Sequence, residues 1–279
     1  MKYGLKGFNR VERITSKWFS RLLRLFEKQK RIDWTKYISD TVVIHLANRP
    51  DRLKIAKNRA SSQKLKGRKT LLDHLRFFDA IDGKTIKWFS KKIHRNSYKF
   101  SYHWGVDPAE GMEQQLKRNK TILCSSAETG IAFSHYRIWK EIVENKTPIT
   151  LIMEDDFEFC HKFQDKIESI FEKELPTKWD LLYLSSLPNH FGFTWDPHSQ
   201  NLSKLYNGVW WLSGYVLTYE GAKKLLDNLP IIGPVDVWIN YQFKHMEVYM
   251  TNHNLITQGD DTRSDNTYSY VETFKDNLI

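Results

Sequence analysis

Glu154, Asp155 and Asp156 follow directly on Ile149, Thr150, Leu151, Ile152 and Met153, so three carboxylates end an apolar run of strand length. Such a run reads as a buried strand, and ligands of open α/β sheets collect beyond the carboxyl ends of strands. Two like charges about 4 Å apart at an effective dielectric near 20 repel by roughly 4 kcal/mol, so a folded chain needs water or a cation to relieve the cluster. In an extended segment residues two apart share a face. Glu154 and Asp156 are therefore expected to point together, with Asp155 pointing away or into the next turn. Paired carboxylate oxygens suit Mg²⁺ or Mn²⁺, which bind one or two carboxylates and complete their shell with phosphate oxygens and water. A solvated acidic turn is the alternative reading.

Two further groups have residue types suited to chemistry. Asp236, in the stretch Gly233, Pro234, Val235, Asp236, stands at a helix start, where it is either an N-terminal cap or a carboxylate general base. Ser125 and Glu128 match a capping box for the helix that carries His135 on a stripe with Ile131, Ile138, Trp139 and Ile142. From the residues alone, a histidine on such a stripe reads as a core residue before it reads as a ligand. Trp210 and Trp211, or Trp88, Tyr102 and Trp104, are candidates for stacking on sugar faces, with core packing as the competing explanation.

The elements that must position these groups alternate in type. Thr41 to Leu46 reads as a strand, a polar helix starts near Asp51, and a short strand lies around Arg76 to Phe78. A helix is expected from Ala127 to about Asn145, strands at Asp180 to Leu184 and Leu212 to Thr218, and a helix from Glu220 to Leu229 stopped by Pro230. The fold class is α/β, with a mixed central sheet of six or seven strands. Residues 83 to 121 are polar, aromatic and basic without clean periodicity and read as an insertion or lid.

Composition excludes several classes. With 279 residues, 41% hydrophobic and 14% aromatic, the chain has material for a large core and is not disordered throughout. Of the net charge of +10, eight charges belong to residues 1 to 31, where ten Lys and Arg face Glu12 and Glu27. The body is near neutral, which argues against a nucleic-acid enzyme. In the first segment Phe8, Val11, Ile14, Trp18, Leu22 and Leu25 recur at helical spacing against a basic face. That is a basic amphipathic helix, expected either to lie on an anionic membrane surface or to dock on its own domain. The domain expectation is a helix over residues 1 to 36 and a single domain over 37 to 279, with the insertion at about 84 to 121. Cys124 and Cys160 form no zinc spacing and fit a reducing, cytoplasmic location, possible attachment to the membrane surface included. Sequons at Asn119, Asn145 and Asn201 matter only in a secreted chain. No transmembrane run, P-loop, Rossmann glycine motif, metalloprotease motif or nucleophile elbow occurs.

An ordered set of segments carries a resemblance. Val42 to Arg52 (VVIHLANRPDR), Phe78 to Gly83 (FDAIDG), Ser126 to Trp139 (SAETGIAFSHYRIW), Leu151 to Phe157 (LIMEDDF), Ser213 to Leu226 (SGYVLTYEGAKKLL) and Pro234 to Trp238 (PVDVW) resemble glycosyltransferase family 25, with Thr257, Gln258 to Ser264, Asp265 as a last piece. The resemblance implies a GT-A-like nucleotide-sugar-binding sandwich and a metal-dependent, inverting hexosyl transfer, most simply of galactose from UDP-galactose to a glycan or glycolipid of lipopolysaccharide type. A collagen-type protein galactosyltransferase and a UDP-glucose-using enzyme are the neighbouring alternatives. By that similarity Asp156, with Glu154, ligates Mn²⁺ (or Mg²⁺), Asp155 assists, and Leu46, Asn48, Arg49, Arg52, Asp79 and Ala80 line the nucleotide pocket. Ser134 and His135 match the family's Ser-His pair, and Asp236 matches its acceptor-side carboxylate. The acidic motif departs from a strict Asp-x-Asp. Rival readings are phosphodiester or nucleotide hydrolysis at the same carboxylates and a non-enzymatic, membrane-surface carbohydrate-binding module.

Overall fold

The site is positioned by one long sheet. The structure, a computed structural model, describes residues 34–65, 68–86, 125–188, 193–232 and 234–259, together with the backbone of 100–101, 103–104, 122–123 and 270–271. The expected amphipathic helix at the N-terminus and most of the expected insertion lie outside the described residues.

In chain order the main elements are β1 (Asp40–His45), α1 (Pro50–Ser62), β2 (Arg76–Asp79), α2 (Ser126–Glu144), β3 (Ile149–Glu154), β4 (Phe157–Phe159), α3 (Phe163–Ser169), β5 (Leu181–Tyr183), β6 (Thr194–Pro197), β7 (Leu202–Asn207), β8 (Gly214–Thr218), α4 (Tyr219–Asp227), α5 (Val235–Trp238), β9 (Val248–Thr251) and β10 (Ile256–Gln258). Eight strands form the mixed sheet in the order β6-β7-β9-β5-β8-β3-β1-β2. β1, β2 and β3 are parallel, and β8 runs against both β3 and β5. The count exceeds the six or seven expected. The unread strands are β6, β7 and β9, and β6 is exposed along its whole length, so it carries none of the alternating burial that marks a strand in sequence.

Period-two alternation sorts the sheet's side chains between two helical layers. Val42, Ile152, Tyr215 and Leu217 face α2, α4 and α5, where Ile138, Trp139, Leu225 and Trp238 are buried. Val43, Leu151, Met153 and Val216 face α1 and α3, where Ala56, Ala60, Phe163 and Ile167 are buried. Trp34 also packs into this second layer, edge-on to Phe163 at 5.4 Å. Pro50 at the first turn starts α1 with its preset φ. The capping box that starts α2 is present in full: Ser125 Oγ accepts from Glu128 N at 3.1 Å, and Glu128 Oε2 accepts from Ser125 N at 2.8 Å. Thr218 Oγ1 caps α4 by accepting from Gly221 N at 3.0 Å.

The loop after β2 lies hard against α2. A Cβ on Gly83 would sit 1.6 Å from Ser126 O, and one on Gly130 would sit 2.3 Å from Ile81 O and 2.7 Å from Gly83 N. In an exposed helix, Gly to Ala gains about 1 kcal/mol of propensity. Here the added carbon meets backbone that cannot rotate away, and overpacking costs about 1–3 kcal/mol or more. We therefore expect Gly130→Ala to lower the urea midpoint of unfolding despite its better helix propensity, and a raised midpoint would show that the loop after β2 gives way freely.

Candidate functional site

Three adjacent parallel strands end together. Their registers set Ile44 beside Glu154 and His45 beside Asp79, so the turn after β1, the loop after β2 and the acidic run after β3 share one sheet edge. The residues expected around a nucleotide fall here. Leu46 O accepts from Arg49 N at 2.9 Å in the turn, and Ala80 N donates to His45 O at 2.8 Å, which ties the two loops together. Asn48 and Asp79 are exposed; Asn48 Nδ2 reaches Asp82 at 3.5 Å, and the Arg49 guanidinium pairs with Asp51.

The acidic run divides at the end of β3, where Glu154 closes the strand and Asp155 and Asp156 form the turn that follows, both carboxylates meeting Arg52. Asp155 is buried and bound on both oxygens, by His45 Nδ1 at 2.9 Å and by the Arg52 guanidinium. Arg52 also lies 3.1 Å from Asp156 Oδ2. Asp156 Oδ1 is buried and has no hydrogen-bond partner among the described residues. Glu154 is met by Ser213 Oγ at 3.5 Å and Gln258 Nε2 at 3.4 Å, both at the long end of hydrogen bonding. The backbone of Asp156 is fixed from β10, with Asp156 O accepting from Gly259 N at 2.8 Å and from Arg59 Nη1 at 3.2 Å. Burial, and then the charge of Asp156, pushes the Glu154 carboxyl up to about 8; burial also raises Asp156, against the nearby Arg52 charge.

No group of three or more His, Cys, Asp and Glu side chains able to hold a metal ion exists among the described residues. Glu154 and Asp156 can still contribute an oxygen pair. An orphaned carboxylate oxygen beside a carboxyl whose pKa burial raises fits a hard cation whose other ligands come from a phosphate group.

Asp236 approaches from the other side of β3. It is the second residue of α5, a helix in the α2 and α4 layer, and it takes hydrogen bonds from its neighbour Val237 N at 3.0 Å and from the backbone N–H of Trp211. Burial raises its pKa, the two N–H groups oppose the rise, and the charge of Glu128 adds to it. Trp211 has φ of 76°, a left-handed conformation that costs a bulky residue about 1–3 kcal/mol and is found where a site over-determines the backbone. The effect here is to aim an amide at a carboxylate.

Ser134 and His135 are brought to the same region but not to its surface. Ser134 Oγ accepts from Ile81 N at 2.9 Å and donates to Gly130 O at 2.7 Å, bracing the loop after β2 against α2. His135 is 1% exposed. Trp139 Nε1 donates to Tyr215 OH at 3.0 Å, which leaves the phenol proton for His135 Nδ1 at 2.8 Å; burial drops this histidine to about 3, so it is neutral. His45, Arg59, Glu128 and Ser213 are contributors that the sequence reading did not single out as site residues. Only its period-two position at the end of β1 marks His45 in the sequence.

A family-wide sequence profile described as "Glycosyltransferase family 25 (LPS biosynthesis protein)" matches residues 38–239, which span every helix and strand named above except β9 and β10. The chain belongs to glycosyltransferase family 25. Relatives within family 25 include the rat "Probable inactive glycosyltransferase 25 family member 3", 28% identical over 73% of this chain and 33% of the relative. Human "Procollagen galactosyltransferase 2" is 31% identical over 42% of this chain and 20% of its own length. A family member from Anopheles gambiae is 31% identical over 63% and 28%. The chain thus spans a third or less of these family 25 relatives. Among solved structures, a crystal structure of A197 from STIV aligns at a TM-score of 0.29 and 11% identity over 50% of this chain and 80% of its own, too distant to carry an argument.

The raised Glu154 carboxyl has a consequence for stability. Its proton is bound in the folded state up to about pH 8 and is lost near 4.5 when unfolded, so its stabilising contribution is complete below 4.5 and disappears as pH rises through 8. In EDTA, Glu154→Gln should match wild type near pH 4.5 and become progressively the more stable of the two up to about pH 8. Parallel urea midpoints for the two proteins across that range would contradict this environment for Glu154.

Proposed function

We propose that this family 25 chain is a metal-dependent, inverting hexosyltransferase of GT-A-like architecture, moving galactose from UDP-galactose to a glycan or glycolipid acceptor. The observation that carries the reading is the Glu154 and Asp156 pair at the end of β3, one oxygen of which is buried without a partner among the described residues. The nucleotide falls to the β1 and β2 side of that pair, against Leu46, Asn48, Arg49, Arg52, Asp79 and Ala80. Glu154 and Asp156 would hold Mn²⁺ or Mg²⁺, and such an ion supplies neutralisation of the charge that develops on a departing diphosphate.

The chain's own groups account for the remaining steps. Asp236, on the β8 side, accepts the proton of the acceptor hydroxyl as that oxygen attacks the anomeric carbon. Its raised pKa brings it closer to the pH at which a general base works best, and the N–H groups of Trp211 and Val237 keep it ionisable. Asp155, held by His45 and Arg52, keeps Arg52 beside Asp156. An acceptor of lipopolysaccharide type is supported by the profile's description, and a collagen-type acceptor by the relatives named procollagen galactosyltransferase. The relatives named inactive favour a second reading, in which the chain binds a nucleotide sugar without transferring it. The basic face of residues 1 to 31 suits an anionic membrane surface near such an acceptor. No helix among the described residues is long and apolar enough to cross a membrane.

Incubation with a set of nucleotide sugars, Mn²⁺ or Mg²⁺, and candidate acceptors, with and without EDTA, tests the reading through release of nucleoside diphosphate. Release that EDTA abolishes is expected; none with any donor, alongside donor binding, would establish the non-transferring alternative. Asp156→Ala should abolish turnover without unfolding. Asp236→Asn should lower kcat by about 10²–10⁴ with donor binding retained. Deleting residues 1 to 31 should weaken sedimentation with phosphatidylserine vesicles, and unchanged sedimentation would assign that helix to docking on its own domain.

A further inference from the structure

Leu187–Pro188 and Val209–Trp210 form a two-rung antiparallel ladder with Leu187 opposite Trp210. Val209 is buried in the core, so alternation sends Trp210 outward. Trp210 and Leu187 are 39% and 37% exposed. A single exposed aromatic residue is ordinary, but the way this segment is held is not. Asn240, buried in the turn after α5, accepts from Gly208 N and Val209 N, each at 3.0 Å, and donates to Val209 O at 2.7 Å and Asp236 O at 2.8 Å. Both donors and both acceptor sites of the side chain are thus committed to fastening the Trp210 strand to the helix of Asp236. The next residue, Trp211, gives its own amide to the Asp236 carboxylate from a left-handed conformation. The exposed pair and the carboxylate are registered to one another through two independent sets of bonds.

We propose that Leu187 and Trp210 form the acceptor-sugar subsite, which receives the C–H face of a pyranose ring while Asn240 acts as the positioning residue that sets its distance from Asp236. The proposal rests on the transferase reading above. A pyranose has one apolar face and a rim of hydroxyls. A flat indole beside an aliphatic side chain matches the face, and the Asp236 carboxylate, bonded to the amide of the next residue, Trp211, matches the rim. Collecting an indole and a carboxylate on one rigid unit lets ring stacking orient the hydroxyl toward the base.

Saturation-transfer difference NMR with methyl β-D-galactopyranoside, methyl β-D-glucopyranoside and lactose reads binding without turnover. Wild type should transfer saturation to ring C–H protons, Trp210→Ala should weaken the affinity by about tenfold, and Trp195→Ala, exposed on β6, should match wild type. Under turnover, Trp210→Ala should raise acceptor KM with donor KM unchanged. Asn240→Asp, which cannot donate to Val209 O or Asp236 O, should lower the melting temperature and, assayed well below it, lower kcat with donor KM unchanged. Absence of saturation transfer to wild type, or equal transfer to wild type and Trp210→Ala, overturns the subsite, as does equal acceptor KM in the two. A protein that binds glycosides through Trp210 yet releases no nucleoside diphosphate keeps the subsite and refutes the transferase reading.

Discussion

Burying carboxylates side by side at the end of β3 is the constraint around which the neighbouring elements are arranged. Each carboxylate meets it differently. Asp155 turns back and is neutralised by His45 and Arg52, Glu154 keeps a proton, and Asp156 shares Arg52 and leaves one oxygen open. These solutions need β1 in its parallel register with β3, which brings His45 level with the acidic run, and a helix starting at Pro50, which places Arg52 in its first turn. They also need β10, whose pairing with β4 puts Gly259 N on Asp156 O and leaves room for Arg59 beside it. A buried charge left with half of its partners would be strongly destabilising, so these contacts act as a unit.

Behind this edge, the motifs that could be mistaken for chemistry are largely structural. Gly83 and Gly130 allow backbone contact between a loop and a helix, and Ser134 ties the same two segments by hydrogen bonds. His135, Tyr215 and Trp139 form a closed polar network in the layer beneath. A neutral, satisfied histidine there fixes the separation of α2 from β8. That separation decides where the start of β8 lies relative to Glu154.

Much of this was legible in the residue pattern. The apolar run before Glu154 and the capping box at Ser125 are local rules, and local rules survive folding. The His135 stripe was also readable as core, although the family resemblance pulled the other way. What escaped was non-local. The sharing of Arg52 between two carboxylates depends on strand register, and nothing near Ser213 or Gln258 announces that both face Glu154. The edge strand β6 escaped because it is solvated throughout and shows no burial pattern. The left-handed Trp211 escaped because a tryptophan is among the last residues one would assign to that conformation.

β8 is the reversed strand of the inner sheet, paired antiparallel to both β3 and β5. In an all-parallel arrangement only the exits of strands reach the edge where the carboxylates lie. Reversal brings an entrance there as well, so the loop from Gly208 to Ser213 arrives at the edge from the opposite direction to the loops that leave β1, β2 and β3. The two sets of loops are held differently. Those leaving the parallel strands are tied by ion pairs and glycine contacts, whereas the incoming loop is held by Asn240, by the Trp211 amide on Asp236 and by Ser213 on Glu154. One loop thus touches both carboxylates that the proposed chemistry uses, so a change in its length would be felt at Asp236 and Glu154 together.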